Sequence, residues 1–394
     1  MISVFFAWRA APLVLARVCQ AQVGWRLTVR TGLGLVMAVM LGTHPAAGAA
    51  VSPVQGAPAE IVLVDAETVT PTSVENWKQE GFKAVAVVLD ERATEIVNRQ
   101  VARHLSDAGL PLYWWMEVGR NKIMAEAHPR WMATLGMHED WQKNFPNMAE
   151  PKVNQVAKAF PWVPIGYRET FEAHLGRFEQ LLKRVPPDWQ GLLLNDLQGG
   201  PSSCGCGNLQ CRWAYDYGMR PTATKIAGDS AAAAFVAEAR QRVGNKRIIP
   251  VWTTECTEVD LPPEKNHDRP STRLCGTVGC ATSTCPEAFN RQWSALASTH
   301  TGPVALLAIH TAFRRTESEF GGGPGWVTNA VNYLRQAQAA GAKSIPADQL
   351  WVVVEGATSE EPAARRAAAQ AGVATVIVAR IRIDQSYEPR LISK

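Results

Sequence analysis

A chain of 394 residues with 46% hydrophobic and 19% charged side chains, no low-complexity tract and no collagen-like period has the make-up of a folded protein. Of its 40 Lys and Arg, four (Arg9, Arg17, Arg26 and Arg30) lie within residues 1–49, which contain no acid, so the remaining basic residues balance the 36 Asp and Glu. A neutral body has no electrostatic footprint for nucleic acid, and that class of partner is set aside.

Residues 1–49 read as an export signal. A basic stretch ends in Arg26 and Arg30, the apolar run Leu33 to Leu41 follows, and Ala47-Gly48-Ala49 gives an A-x-A cleavage pattern. The run is shorter than the roughly 20 residues a membrane-spanning helix needs. An uncleaved membrane anchor is the alternative. The expectation is a secreted or periplasmic protein with no membrane span after cleavage, residues 50–394 forming a single domain.

From residue 60 onward, short apolar runs alternate with helical patterns. The runs are Ile61–Asp65, Ala84–Asp90, Leu112–Glu117, Leu192–Asp196, Ile248–Thr253, Val304–His310, Leu350–Glu355 and Ala374–Ala379. Most are continuous and rich in Val, Ile and Leu, as in parallel strands covered on both faces. Helical stretches lie between them at Ser73–Glu80, Arg92–Ala108, Glu169–Val185, Thr222–Val243, Pro286–Ser298, Trp326–Ala340 and Glu360–Ala371. Several end at a glycine (Gly81, Gly109, Gly341, Gly372), which fits helix C-capping. Eight strands with seven intervening helices predict an α/β fold of the (β/α)8 TIM-barrel type. An open doubly wound sheet is the alternative, disfavoured because no Gly-rich nucleotide turn is present. Residues 118–168, 197–221 and 254–285 make long connections, all at strand-to-helix junctions and so on the carboxyl face, where barrel enzymes build their sites.

Polar residues recur at the strand ends: Asp65, Asp90, Glu117, Asn195-Asp196, Glu255, His310 and Glu355. In a barrel these converge on one bowl. Hydrolysis of a glycosidic bond needs two carboxyl groups, one giving a proton and one acting as nucleophile or base. Asp196 ends a fully apolar strand and leads into LQGGPSSCGCGNLQC, which makes it the first candidate, paired with Glu255 or Glu355. Asp65, Glu117, Asn195 and His310 are candidates for holding sugar hydroxyls, whereas Asp90, just before a helix, reads as an N-cap. Trp114 and Trp115 lie in the third strand, where alternation sends one of them inward, and Trp252 ends the fifth. With Trp131, Trp141, Trp162 and Trp213 in the loops, they suit the apolar faces of pyranose rings or, in the bland reading, fill loop cores.

Outside the leader, all seven cysteines (Cys204, Cys206, Cys211, Cys256, Cys275, Cys280 and Cys285) lie in two segments that the fold places as cysteine-rich loops on the carboxyl face. Export favours disulfides. The C-x-C spacing is too tight for an easy mutual bridge, so Cys204 and Cys206 are expected to pair outward. A bound metal is the alternative, weakened by the absence of any C-x-x-C pair. No G-x-S-x-G, Walker, H-E-x-x-H or Rossmann pattern occurs, and no cofactor is expected.

Over residues 111–211, a strand ending WWMEVGR, the segment HPRWMA, the run PWVPIGYRETFEAHLGRFEQLL and DWQGLLLND before a C-x-C…C loop follow one another. This order resembles glycoside hydrolase barrels related to the β-galactosidase and α-L-fucosidase families. The resemblance covers about a quarter of the chain. It implies a carbohydrate-active barrel with Asp196 in the site. Common retaining barrels place Glu after Asn at the fourth strand, whereas here Asp196 follows Asn195, which leaves the stereochemical course open. The residues and the resemblance together predict an exported glycoside hydrolase acting on a poly- or oligosaccharide. A non-catalytic carbohydrate-binding barrel and a metal or redox protein using the cysteine loops are the alternatives.

Overall fold

The computed structural model describes residues 57–133, 147–149, 151–197, 228–253, 296, 300–309, 327, 328, 331, 345–383 and 387–393. Eight parallel strands close into a barrel in the order β1 (Ala59–Val64), β2 (Ala84–Val88), β3 (Leu112–Glu117), β5 (Gly191–Asn195), β6 (Arg247–Thr253), β7 (Val304–Ala308), β8 (Leu350–Glu355) and β9 (Thr375–Ala379). Closure is made by β1, which pairs with β2 on one side and β9 on the other, both parallel. All eight apolar runs of the sequence are barrel strands. The long connection 118–168, by contrast, is not structureless. It contains β4 (Gln155–Phe160), which pairs antiparallel with β10 (Glu388–Ser393) in a separate two-stranded sheet.

The alternation of each strand sorts its side chains into two cores. Val62, Val85, Trp114, Leu192, Leu194, Val304, Val352 and Val376 face outward and join Trp77, Leu105, Phe178 and Phe235 from the helices. Ile61, Ala86, Trp115, Leu193, Ile249, Leu307, Val353 and Ile377 fill the barrel interior. Both faces of every strand are thus removed from water, which is why the strands read as unbroken apolar runs rather than as alternation.

The helices are α1 (Pro71–Gln79), α2 (Glu95–Asp107), α3 (Lys122–Ala127), α4 (Arg168–Leu182), α5 (Gly228–Val243) and α6 (Glu361–Gln370). Thr70 and Ser73 cap α1 reciprocally, with Pro71 at its first turn. Thr94 caps α2 by accepting from the Val97 N–H. Asp90 therefore does not cap that helix, contrary to the sequence reading. It sits four residues too early, and its carboxylate instead accepts from the Arg92 backbone N–H at 2.8 Å. At the other end of α1, Gly81 takes φ +94° while the Phe82 N–H returns to Trp77 O and the Gly81 N–H to Lys78 O. Any side chain in that left-handed position would be strained. The helical stretches expected at 286–298 and 326–340 lie almost wholly outside the described residues. Among the described residues, no helix is long and apolar enough to cross a membrane.

Candidate functional site

The carboxyl end of β3 organises the site. Glu117 continues the inward row of Tyr113 and Trp115 and lies in register with Asn195 of β5. Both its oxygens are engaged: Trp115 Nε1–H donates to Oε1 at 2.8 Å, and Asn195 Nδ2 donates to Oε2 at 2.8 Å. Two neutral donors, one on each oxygen, fix the direction of the carboxylate. The residue that follows β5, Asp196, leaves the strand geometry with φ +57° and is fully buried. Its backbone oxygen accepts from the Gly119 N–H at 2.9 Å, and its Oδ1 accepts from Asn195 Nδ2 at 3.3 Å. Asp tolerates the left-handed region better than most residues, yet a buried one at a strand end marks a position held there by its surroundings. Asn195 Oδ1 is buried with no hydrogen-bond partner among the described residues, an uncommon state for an amide oxygen.

Above this layer opens a pocket of about 740 Å³, whose acidic lining is Asp65, Asp90, Glu91, Glu117 and Glu388 and whose basic lining is Arg92, Arg120, Lys122, Arg177 and Arg382. Four of the acids are bridged, Glu388 by Arg390 at 3.1 Å and the other three by Arg92 and Arg177. Arg92 binds Asp90 at 2.6 Å and Asp65 at 3.1 Å. Arg177, itself almost buried, grips Glu91 through Nε at 2.5 Å and Nη2 at 3.1 Å and also donates to the Glu117 carbonyl at 2.7 Å. Burial alone raises the Glu91 pKa, but the hydrogen bond and charge of Arg177 outweigh it and lower the value to about 2. Glu91 is therefore a structural anion. Through Arg177 it tethers α4 to the backbone that carries Glu117.

The remaining candidates separate by strand parity. Trp115 faces inward and acts as a donor to Glu117, but it is fully buried and offers no stacking face. Trp114 and Trp252 face the other way, into the helix-packed outer core. That corrects their expected role as a sugar platform: in both strands the inward positions belong to the odd-numbered neighbours. Trp162 is fully buried as well, and Trp131 stacks on His128 at 3.8 Å. Glu355 ends β8 in the inward row, partly buried and in register with Ala379. Like the fully buried Asp196, it does not line the pocket over Glu117. Glu255, His310, Trp141, Trp213 and the seven cysteines Cys204, Cys206, Cys211, Cys256, Cys275, Cys280 and Cys285 lie outside the described residues. Among the described residues, no group of three or more His, Cys, Asp or Glu is placed to hold a metal ion.

Sequence reasoning missed Glu91, Arg177, Asn121 and the wall supplied by Phe160, Pro161 and Tyr387. Glu91 stands at a strand-to-helix junction and could have been found there. Arg177 lies in mid-helix, and Tyr387 belongs to the chain end, so neither carries a local signal.

No family model matches the chain, and no curated protein matches it. Solved structures similar to it include a β-galactosidase from the psychrophilic Marinomonas ef1, at 9% identity and a TM-score of 0.43, covering 81% of this chain and 53% of that one. They also include the catalytic domain of a chitinase from Pyrococcus furiosus, at 8% identity and a TM-score of 0.40, covering 82% and 84%. A dihydropteroate synthase from Thermus thermophilus, at 12% identity and a TM-score of 0.33, covers 83% and 90%. The chain spans about half the length of the β-galactosidase. Proteins of such different names do not select a chemistry, and the barrel assignment rests on the strand order alone.

Proposed function

We propose that this protein is a glycoside hydrolase acting on a poly- or oligosaccharide bound at the carboxyl end of the barrel. The observation that carries the reading is Glu117, an inward carboxylate in the pocket whose two oxygens are aimed by Trp115 and Asn195, beside the left-handed Asp196 on the neighbouring strand. In this reading Glu117 acts as the base or nucleophile. Asp196 is the second carboxyl, with Glu255 and Glu355 as alternates for the proton donor. The order of motifs over residues 111–211 supports a carbohydrate substrate, and the basic, apolar and A-x-A segments of residues 1–49 support action outside the cytoplasm, in the periplasm or medium.

A second reading, a barrel that binds carbohydrate without turnover, is favoured by one feature: Asp65, Asp90 and Glu91 are already committed to Arg92 and Arg177. The test is release of reducing ends from a panel of plant and microbial polysaccharides by the purified protein. Turnover that drops by about 10²-fold or more in both Glu117→Gln and Asp196→Asn, with unchanged circular dichroism, supports the hydrolase. Full activity in both variants refutes it. Glycan binding with no turnover in the wild type selects the binding barrel.

A further inference from the structure

The opposite end of the barrel holds a second cavity, of about 660 Å³, where β6, β7, β8 and β9 begin. Its charge is one-sided. Arg240, Lys246 and Arg247 line it, against the single carboxylate of Asp348 among its described lining residues. Neither Lys246 nor Arg247 forms an ion pair with a carboxylate among the described residues. Lys246 Nζ is held by a neutral oxygen instead, donating to Trp189 O at 2.7 Å, and the Arg247 stem lies beside the Tyr113 ring across Gly191. Arg240 Nη2 donates to Thr301 Oγ1 at 2.9 Å, fixing that hydroxyl in the cavity wall.

The sequence makes room for this arrangement. Arg247 opens the inward row of β6, in register with Gly191 of β5. A Cβ on Gly191 would meet Arg247 Cβ at 3.0 Å and Tyr113 Cδ1 at 3.2 Å. Glycine there lets the Arg247 stem and the tyrosine ring lie side by side. Nearby, His300 Nε2 bonds Pro303 O at 3.0 Å and so secures the turn that carries Thr301. A concave wall with three cations, the fixed Thr301 hydroxyl and one exposed acid among its described lining residues concentrates positive potential that an anion relieves.

We propose that this amino-terminal mouth binds a tetrahedral oxyanion, free phosphate or a phosphate ester, between Arg247, Lys246 and Arg240. The site is separate from the glycan pocket and independent of what happens there. The test is isothermal titration of the full-length protein with inorganic phosphate and with glucose 6-phosphate, at ionic strength held constant with chloride. The expected result is saturable one-to-one binding, weakened at least about tenfold in Arg247→Met and in Lys246→Met. Asp348→Asn, a change at an exposed side chain that does not threaten the fold, is expected to tighten binding about threefold. The ligand that binds tighter tells whether the anion is taken free or esterified. Heats no different from those of chloride overturn the proposal. So does phosphate binding that is indifferent to Asp348→Asn and to both cation variants.

Discussion

Lys158 gives the sharpest test of the physical reading. It sits in the middle of β4 with no exposed surface, and its ammonium donates to Met132 O at 2.8 Å. Across the two-stranded sheet its register partner is Arg390, whose guanidinium lies over the Phe160 ring. Burial pulls the Lys158 pKa down from 10.5 to about 7. Between those values the unfolded chain holds a proton that the folded chain has released. Stability therefore rises with pH across that window, by up to about 1.4 kcal/mol per pH unit, and this contribution is flat below it. From pH 7 to 9.5 the wild type gains roughly 3 kcal/mol from this residue. Lys158→Met removes the titration and the cost of burying a charge, at the expense of the bond to Met132 O, worth about 1–3 kcal/mol when its acceptor is left unpaired. The variant is expected to be more stable than the wild type at pH 6, by about 2 kcal/mol, with the advantage shrinking or reversing by pH 9.5. Urea unfolding at pH 6, 7.5 and 9.5 reads this as a difference between two profiles. His174, held near pKa 4 by burial, titrates in a lower window and cancels in that difference. Parallel profiles for wild type and variant from pH 6 to 9.5 would refute the argument.

Other consequences follow from the same structure. Glu91, with a folded pKa of about 2 against 4.5, supports stability above pH 4.5 that is lost as pH falls toward 2. Glu91→Gln is thus expected to cost about 3 kcal/mol at pH 7 and far less near pH 2 in denaturant titrations. Trp115→Phe removes a Glu117 donor and is expected to lower glycan turnover about tenfold or more, measured as reducing-end release. Trp252→Phe, in the outer core, is expected to lower the unfolding free energy by about 1–3 kcal/mol while leaving the affinity for any bound glycan unchanged; a lost affinity there would restore the sugar-platform role. Gly191→Ala, with Arg247 Cβ at 3.0 Å, is expected to destabilise by about 1–3 kcal/mol in urea unfolding.

What could be read from the sequence follows a physical boundary. Barrel strands are local objects buried on both faces, so eight apolar runs announced themselves, and so did the glycine stops at Gly81, Gly109 and Gly372, which take positive φ. The ends of those runs also placed Glu117, Asn195 and Asp196 on adjacent strands before any contact was known. What stayed hidden depends on pairing across long separations. β4 carries a lysine at its centre and finds its partner more than 200 residues later in β10, so neither strand reads as one alone. The Glu91–Arg177 pair joins a strand-to-helix junction to the middle of a helix. Even the parity of the tryptophans needed only one fixed point. Once Glu117 faces the bowl, Trp115 must face inward and Trp114 outward, because successive side chains in a strand alternate. The same alternation places Ile249 and Val251 inside and Trp252 outside. A sugar site in this barrel must therefore take its aromatic surface from the loops above the strands rather than from the strands themselves. The hydrolase reading accordingly depends on the strand-end carboxylates and their donors, Trp115 among them, and not on stacking by the strand tryptophans.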